Sequence, residues 1–142
     1  MMKILICGLP GSGKTTLAEP LSKYLNAVWI NADHVRTKYD DWDFSEEARV
    51  IQSNRMLYLS DGAAMSGSDV VTDFVCPTEE TRLNFNADFV IWMDTIREGR
   101  YDDTNAMFES PRDYDMVITD WFERTSTSIH RIKQMIELKR CL

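Results

Sequence analysis

The chain has 142 residues, 44% of them hydrophobic and 27% charged, with a net charge of -7; this is the composition of one globular domain, and it excludes a disordered chain and general, charge-driven nucleic-acid binding. The longest apolar runs, such as Phe89 to Met93, fall far short of the roughly 20 residues that span a bilayer, so no membrane segment is predicted. Cys7, Cys76 and Cys141 are odd in number and lack metal-ligand spacing, which speaks against a disulfide framework or a zinc site and fits a reducing cytoplasm.

The first apolar run, Lys3 to Cys7, stops at Gly8 and leads into a glycine-rich loop, so it is predicted as a strand and not as the core of a signal peptide. Lys14 to Leu25 follows with Leu17, Leu21, Tyr24 and Leu25 at helical spacing, and Ala27 to Ile30 is a second strand. Ser45 opens a long helix with two apolar sets recurring every seven residues, Val50, Leu57, Ala64 and Ile51, Tyr58, Met65; Gly67 ends it. Val70 to Val75 is a third strand, Thr78-Glu79-Glu80 heads a short helix, Phe89 to Met93 is a fourth strand and Met116 to Thr119 a fifth. The tail from about Glu123 to Arg140 puts Ile129, Ile132 and Ile136 on one helical face and ends in Lys139 and Arg140, which complement a helix C-terminus.

Strands alternating with helices predict a parallel sheet covered on both faces, with ligands at the carboxyl ends of its strands. No repeat or linker interrupts the chain, so residues 1–142 are treated as a single domain. Gly8-Leu9-Pro10-Gly11-Ser12-Gly13-Lys14-Thr15 completes the eight-position Walker A pattern directly after a strand and before a helix. The fold class is therefore α/β, a P-loop NTPase three-layer α/β/α domain with a parallel five-stranded sheet. Gly11, Ser12, Gly13, Lys14, Thr15 and Thr16 are the expected ATP-binding residues. Lys14 is assigned to the β and γ phosphates and the Thr15 hydroxyl to Mg²⁺.

The loop alone names nucleotide binding and not a reaction. Neither the base-reading Asn-Lys-x-Asp segment nor the Asp-x-x-Gly segment of a GTP switch occurs, and the length suits a small-molecule kinase better than a motor ATPase. Asp33, just beyond the second strand, is either the base that accepts the acceptor hydroxyl's proton, a holder of Mg²⁺ through water, or merely the cap of a short helix. Arg36 either pins an anionic acceptor or is a solvated charge. Asp73, at the end of Val70-Val71-Thr72-Asp73, has the shape of a Walker B carboxylate near Mg²⁺ or of a plain turn residue. Arg49, Gln52 and Ser53 share one face of the long helix, fit to meet a substrate or water. His34 and His130 are expected to be structural or solvated, and no Trp, Trp121 included, is assigned to a site.

Taken in order, these segments resemble the adenylylsulfate kinases, which transfer the γ-phosphate of ATP to the ribose 3'-hydroxyl of adenosine 5'-phosphosulfate. Residues 8 to 18 are similar to that family's Gly-Leu-Ser-Gly-Ser-Gly-Lys-Thr-Thr-Leu-Ala, and Asn31-Ala32-Asp33-His34-Val35-Arg36 to its Asp-Gly-Asp-Asn-Val-Arg. Phe44-Ser45-Glu46-Glu47-Ala48-Arg49 resembles Phe-Ser-x-x-Asp-Arg, and Phe74-Val75-Cys76-Pro77 resembles Phe-Ile-Ser-Pro. The resemblance covers most of residues 3 to 82. The chain departs from it at Ala48 for Asp, Gln52 for Asn and Cys76 for Ser. The lid segment Asp-Pro-x-Gly-Leu-Tyr is replaced after Asp94-Thr95 by the short stretch Ile96 to Phe108, a compactness similar to bacteriophage versions.

What the resemblance implies is a kinase acting with ATP and Mg²⁺ on a small anionic substrate, adenosine 5'-phosphosulfate first, and able to form a homodimer. Lys14 and Asp33 are then catalytic, Asp33, Arg36, Phe44, Arg49, Gln52 and Phe74 bind substrate, and Thr15 and Asp73 serve the metal. The alternatives are a kinase of the same fold with another nucleotide, nucleoside or metabolite as acceptor, and a nucleotide-binding regulator without transfer activity. Arg97 and Arg100 are the cations available to replace the missing lid.

Overall fold

The structure, a computed structural model, describes residues 1–120 and 125–141. Among the described residues eleven elements follow in chain order: β1 (Lys3–Cys7), α1 (Lys14–Leu25), β2 (Val28–Asn31), α2 (Ala32–Tyr39), α3 (Glu46–Met65), β3 (Val70–Asp73), α4 (Glu79–Phe85), β4 (Phe89–Met93), α5 (Asp102–Met107), β5 (Met116–Ile118) and α6 (Thr125–Arg140). The strands form one five-stranded sheet in the order β2-β3-β1-β4-β5, and every pairing is parallel. A central strand buried on both faces must be apolar throughout, and all five residues of β1 are buried.

Alternation along β1 divides the core. Ile4 and Ile6 pack with Leu17 and Leu21 of α1 and with Ile129, Ile132 and Ile136 of α6. Leu5 and Cys7 face the other way, against Val35 of α2, Met56 of α3 and Phe85 of α4. Each aliphatic side chain buried in these layers contributes about 1.5–3 kcal/mol. The three-layer α/β/α architecture expected from the alternating pattern is the one found. Helix α1 runs through Pro20, which lacks an N–H to donate, while Leu17, Ala18 and Leu21 on either side are fully buried.

Two readings of the long helix separate here. Ser45 caps α3 as expected, its Oγ accepting from the Ala48 N–H at 3.3 Å, and the helix stops at Met65 just before Gly67. Its buried face, however, is Ala48, Gln52, Met56 and Ser60, spaced four apart. Val50, Ile51, Tyr58 and Met65 are exposed, and only Leu57 and Ala64 of the two seven-residue sets lean on the core. An apolar count misled because half of the buried face is polar and hydrogen-bonded inside: Gln52 Nε2 donates to the Ala32 carbonyl at 3.0 Å, and Ser60 Oγ meets Thr72 Oγ1 at 2.7 Å.

Smaller differences concern element ends and two short helices. β2 is shifted by one residue, β3 ends at Asp73 and not Val75, and β5 ends at Ile118. α5 was not expected as a helix, and α2 only as the short helix that Asp33 would cap. Glu123, Arg124 and Trp121 lie outside the described residues. Among the described residues no helix is long and apolar enough to cross a membrane.

Candidate active site

The phosphate loop connects the end of β1 to the start of α1. Gly11 and Gly13 take φ of 87° and 97°, the left-handed region that only glycine enters without strain. At Gly8 the constraint is space: a Cβ would stand 2.7 Å from the Met93 carbonyl oxygen and 2.8 Å from Ser12 Oγ. Gly13 caps α1 without any side-chain hydrogen bond, and the first turn holds no acidic residue. The helix N-terminus is thus left bare for an anion. Ser12 Oγ is the single buried side-chain polar atom among the described residues with no hydrogen-bond partner. Lys14 Nζ donates to the Leu9 carbonyl at 2.9 Å. Burial lowers its pKa from 10.5 to about 8, against the attraction of Asp73, Cys7 and Asp33.

Sheet register brings the metal-type residues to this loop. Asn31 and Asp73 are partners across the β2–β3 ladder, and Ile6 and Asp73 across β1–β3. Asp73 Oδ1 accepts from Asn31 Nδ2 at 2.9 Å and lies 3.4 Å from Thr15 Oγ1, while Oδ2 accepts from Trp29 Nε1 at 2.7 Å. Burial pushes the Asp73 carboxyl above its usual range, and the donations from Trp29 and Asn31, with the nearby Lys14 charge, oppose that rise. One hydroxyl and one oriented carboxylate beside a phosphate loop fit Mg²⁺, which takes few protein oxygens and keeps several waters. The bare helix end, the glycine turns and Lys14 fit the phosphates of ATP.

Beside this centre opens a cavity of about 720 Å³, framed by the starts of α2, α3 and α4 and by α5. Asp33, Arg36, Phe44, Arg49, Gln52 and Phe74, the six residues expected at the substrate, all line it. Val75 of the cavity wall accepts from the Gly8 N–H of the loop at 3.4 Å, so cavity and loop are neighbours, and the Asp33 charge favours the ammonium form of Lys14. Asp33 does not cap α2: Asn31 does, its Oδ1 accepting from the His34 N–H at 3.0 Å, and Asp33 lies in the first turn. Nor is Arg36 a solvated charge. It is 6% exposed, Nη1 donates to the Asp41 and Asp43 carbonyls at 3.1 and 3.0 Å, and its guanidinium lies 4.3 Å from the Phe44 ring centroid.

Arg49 Nη2 pairs with Asp103 Oδ2 at 2.7 Å, which fastens α5 to α3. The opposite wall is braced by buried Arg82, which pairs with Glu79 and donates to the carbonyls of Cys76, Pro77 and Glu109. Cys76 itself has a left-handed backbone, φ 45°, a strained conformation for a residue with a side chain, and burial raises its thiol pKa. The stretch from Ile96 to Phe108 lies against the phosphate loop: a Cβ on Gly99 would stand 3.1 Å from the Pro10 carbonyl oxygen, and a Cβ on Gly11 would come within 4.0 Å of Arg100 Nε. Thr95 Oγ1 donates to the Ser12 carbonyl at 2.7 Å.

Sequence reasoning missed Trp29, Asn31, Asp103 and the bracing Arg82. Trp29 and Asn31 carried a signal, since residues two apart on a strand share a face and Asn31 heads the Asp33 block. Asp103 had none, because nothing local pairs it with Arg49, 54 residues away. Both histidines are exposed and each makes one local contact: His34 packs edge-on to Trp29 with centroids 4.9 Å apart, and His130 Nδ1 lies 2.9 Å from the Tyr24 hydroxyl.

This geometry is that of a P-loop nucleotide-binding domain. A model of the AAA domain family matches residues 4–107, and the chain belongs to that family. A search of curated proteins finds no match. The solved structures similar to it share the P-loop kinase fold. The adenosine 5'-phosphosulfate kinase of Mycobacterium tuberculosis, in complex with AMPPNP and APS, aligns with TM-score 0.75 and 16% identity over 96% of this chain and 97% of that one. A shikimate kinase of Acinetobacter baumannii in complex with shikimate aligns at 0.63 and 18%, over 96% and 93%. A gluconokinase of Sinorhizobium meliloti aligns at 0.67 and 12%, over 98% and 94%.

Proposed function

We propose that this chain is an ATP-dependent kinase that transfers the γ-phosphate to a hydroxyl of a small molecule held in the cavity beside the phosphate loop. The observation that carries the reading is the joining of two parts: a bare helix N-terminus with Lys14, Thr15 and Asp73 at the loop, and Asp33 shared between that loop and the cavity wall. MgATP supplies the phosphoryl group when bound. Lys14 offsets phosphate charge, Thr15 and Asp73 hold the metal directly or through its water shell, and Asp33 orients the acceptor hydroxyl and takes its proton. Arg36 and Phe44, stacked as one unit, and Arg49, Gln52 and Phe74 position the acceptor.

Adenosine 5'-phosphosulfate is the acceptor that the family resemblance implies, and the gathering of all six substrate-type residues in one cavity supports it. A second reading, another nucleotide, nucleoside or metabolite, is favoured by the Arg49–Asp103 ion pair, which occupies a cation meant for an anionic acceptor. A screen of ATP consumption against adenosine 5'-phosphosulfate, nucleosides and nucleoside monophosphates, with products identified by mass, separates them. Selective transfer to adenosine 5'-phosphosulfate supports the first reading and transfer to a different acceptor the second. Tight ATP binding with no transfer to any acceptor would instead make the chain a nucleotide-binding regulator.

A further inference from the structure

We propose that the acceptor cavity is built for an uncharged hydroxyl compound of nucleoside type and discriminates against phosphate and sulfate esters. The inference rests on the reading of this cavity as the acceptor site, takes the second of the two acceptor readings over adenosine 5'-phosphosulfate, and names the class of substrate.

Charge is the first argument. The lining contains two cations, Arg36 and Arg49, and four carboxylates, Asp33, Glu46, Glu80 and Asp103, a formal balance of -2. Arg49 is paired with Asp103 at 2.7 Å. That leaves one guanidinium, with an Nη already donating to two backbone carbonyls, against three carboxylates. An ester carrying one or two negative charges enters such a wall against net repulsion, and the γ-phosphate at the neighbouring loop adds to it.

The helix ends give an independent second argument. Among the described residues four helices start at this cavity: α5 has no side-chain cap but carries Asp102 and Asp103 in its first turn, and the N-termini of the other three are closed to anions by their own sequence. Asn31 caps α2 with Asp33 in the first turn, Ser45 caps α3 with Glu46 and Glu47, and Thr78 caps α4 with Glu79 and Glu80. In each, a side-chain oxygen takes up a free N–H and a carboxylate meets the positive end of the dipole. By contrast α1, at the phosphate loop, has neither a side-chain cap nor an acidic first turn. The protein thus separates one anion-binding helix end, facing ATP, from three that refuse an anion.

What the cavity does offer suits a neutral ring with hydroxyl and amide-like edges. Phe44 and Tyr101 are exposed aromatic faces on its wall, and Ser53, Asn54 and Asn84 are uncharged hydrogen-bonding groups.

The test compares matched pairs that differ only in charge: adenosine against AMP and adenosine 5'-phosphosulfate, and guanosine, cytidine, uridine and thymidine against their 5'-monophosphates. Turnover is followed with MgATP, and binding by calorimetry in the presence of Mg²⁺ and AMPPNP. At least one nucleoside is expected to exceed its charged partner in kcat/KM by about 10-fold or more. In Glu80→Gln and Asp103→Asn, the second of which frees Arg49, that ratio should narrow by about 3-fold or more each. Preference for the monophosphate or for adenosine 5'-phosphosulfate overturns the inference and leaves the kinase reading standing. Selective calorimetric binding of a nucleoside without turnover supports the inference and overturns the kinase reading. A ratio unmoved in both variants, or no binding and no turnover with any pair, overturns the inference.

Discussion

Asn31 Nδ2 donates to Asp73 Oδ1 at 2.9 Å and lies 3.1 Å from Thr15 Oγ1, so one amide orients both groups assigned to the metal. The contact follows from the parallel ladder, in which Asn31 and Asp73 are direct partners and their side chains emerge on the same face.

Replacing Asn31 by Ala should therefore weaken Mg²⁺-dependent nucleotide binding by about 10-fold, the effect usual for a residue that orients a metal ligand. ATP affinity without Mg²⁺ should change little. Titration of ATP with and without Mg²⁺ checks this, and equal losses in both would assign Asn31 to the fold and not to the metal.

Asp33 and Asp73 are predicted to part in their response to Mg²⁺. Asp33→Asn keeps the size of the side chain but removes the proton-accepting charge, and should lower turnover by about 10² or more with ATP binding intact. Asp73→Asn should weaken MgATP affinity and recover in part as Mg²⁺ is raised. Turnover and affinity for both variants across a Mg²⁺ titration decide the matter, and rescue confined to Asp33→Asn would exchange the two roles.

Lys14 has its pKa lowered to about 8 by burial, so in the free protein its charge is lost as pH rises through that value. A bound phosphate favours the ammonium form, and binding above pH 8 must first restore the proton. ATP affinity should fall with rising pH from about 8, by up to roughly 10-fold per unit until the bound-state pKa is reached. In Lys14→Ala affinity should be low and nearly flat over the same range, with phosphoryl transfer nearly abolished. Dissociation constants measured from pH 7 to 9.5 for both proteins test this; a parallel decline in the variant would trace the effect to another group.

Arg82 is a matter of stability. Its side chain is 7% exposed, and its removal takes the ion-pair partner from Glu79 and the side-chain donor from the carbonyls of Cys76 and Glu109, while Pro77 keeps the Glu109 N–H. Arg82→Ala should cost about 3–5 kcal/mol. The midpoint of thermal unfolding should drop by about 10 °C, a shift that differential scanning calorimetry resolves. A loss below about 1 kcal/mol would show that water replaces the guanidinium there.

The phosphate loop, the alternation of strands and helices and the apolar faces of α1 and α6 were legible in the residues because each is local: a glycine turn, a strand run or a helical stripe is specified within a few positions. The six residues expected at the acceptor were legible as chemistry in short blocks, and the fold places them around one cavity. Other features depended on contacts between distant segments. The buried face of α3 is set by Gln52 meeting Ala32 and Ser60 meeting Thr72, not by its apolar count. Asp33 proved not to be a cap because Asn31, at the end of β2, takes that role. Arg49 looked like a free cation until α5 folded back and set Asp103 against it. The residues themselves determined which chemical groups this protein carries and where its phosphate-type loop lies, whereas only the tertiary structure decided which of those groups are already paired. Pairing depends on distances across segments tens of residues apart, and no local pattern encodes such distances.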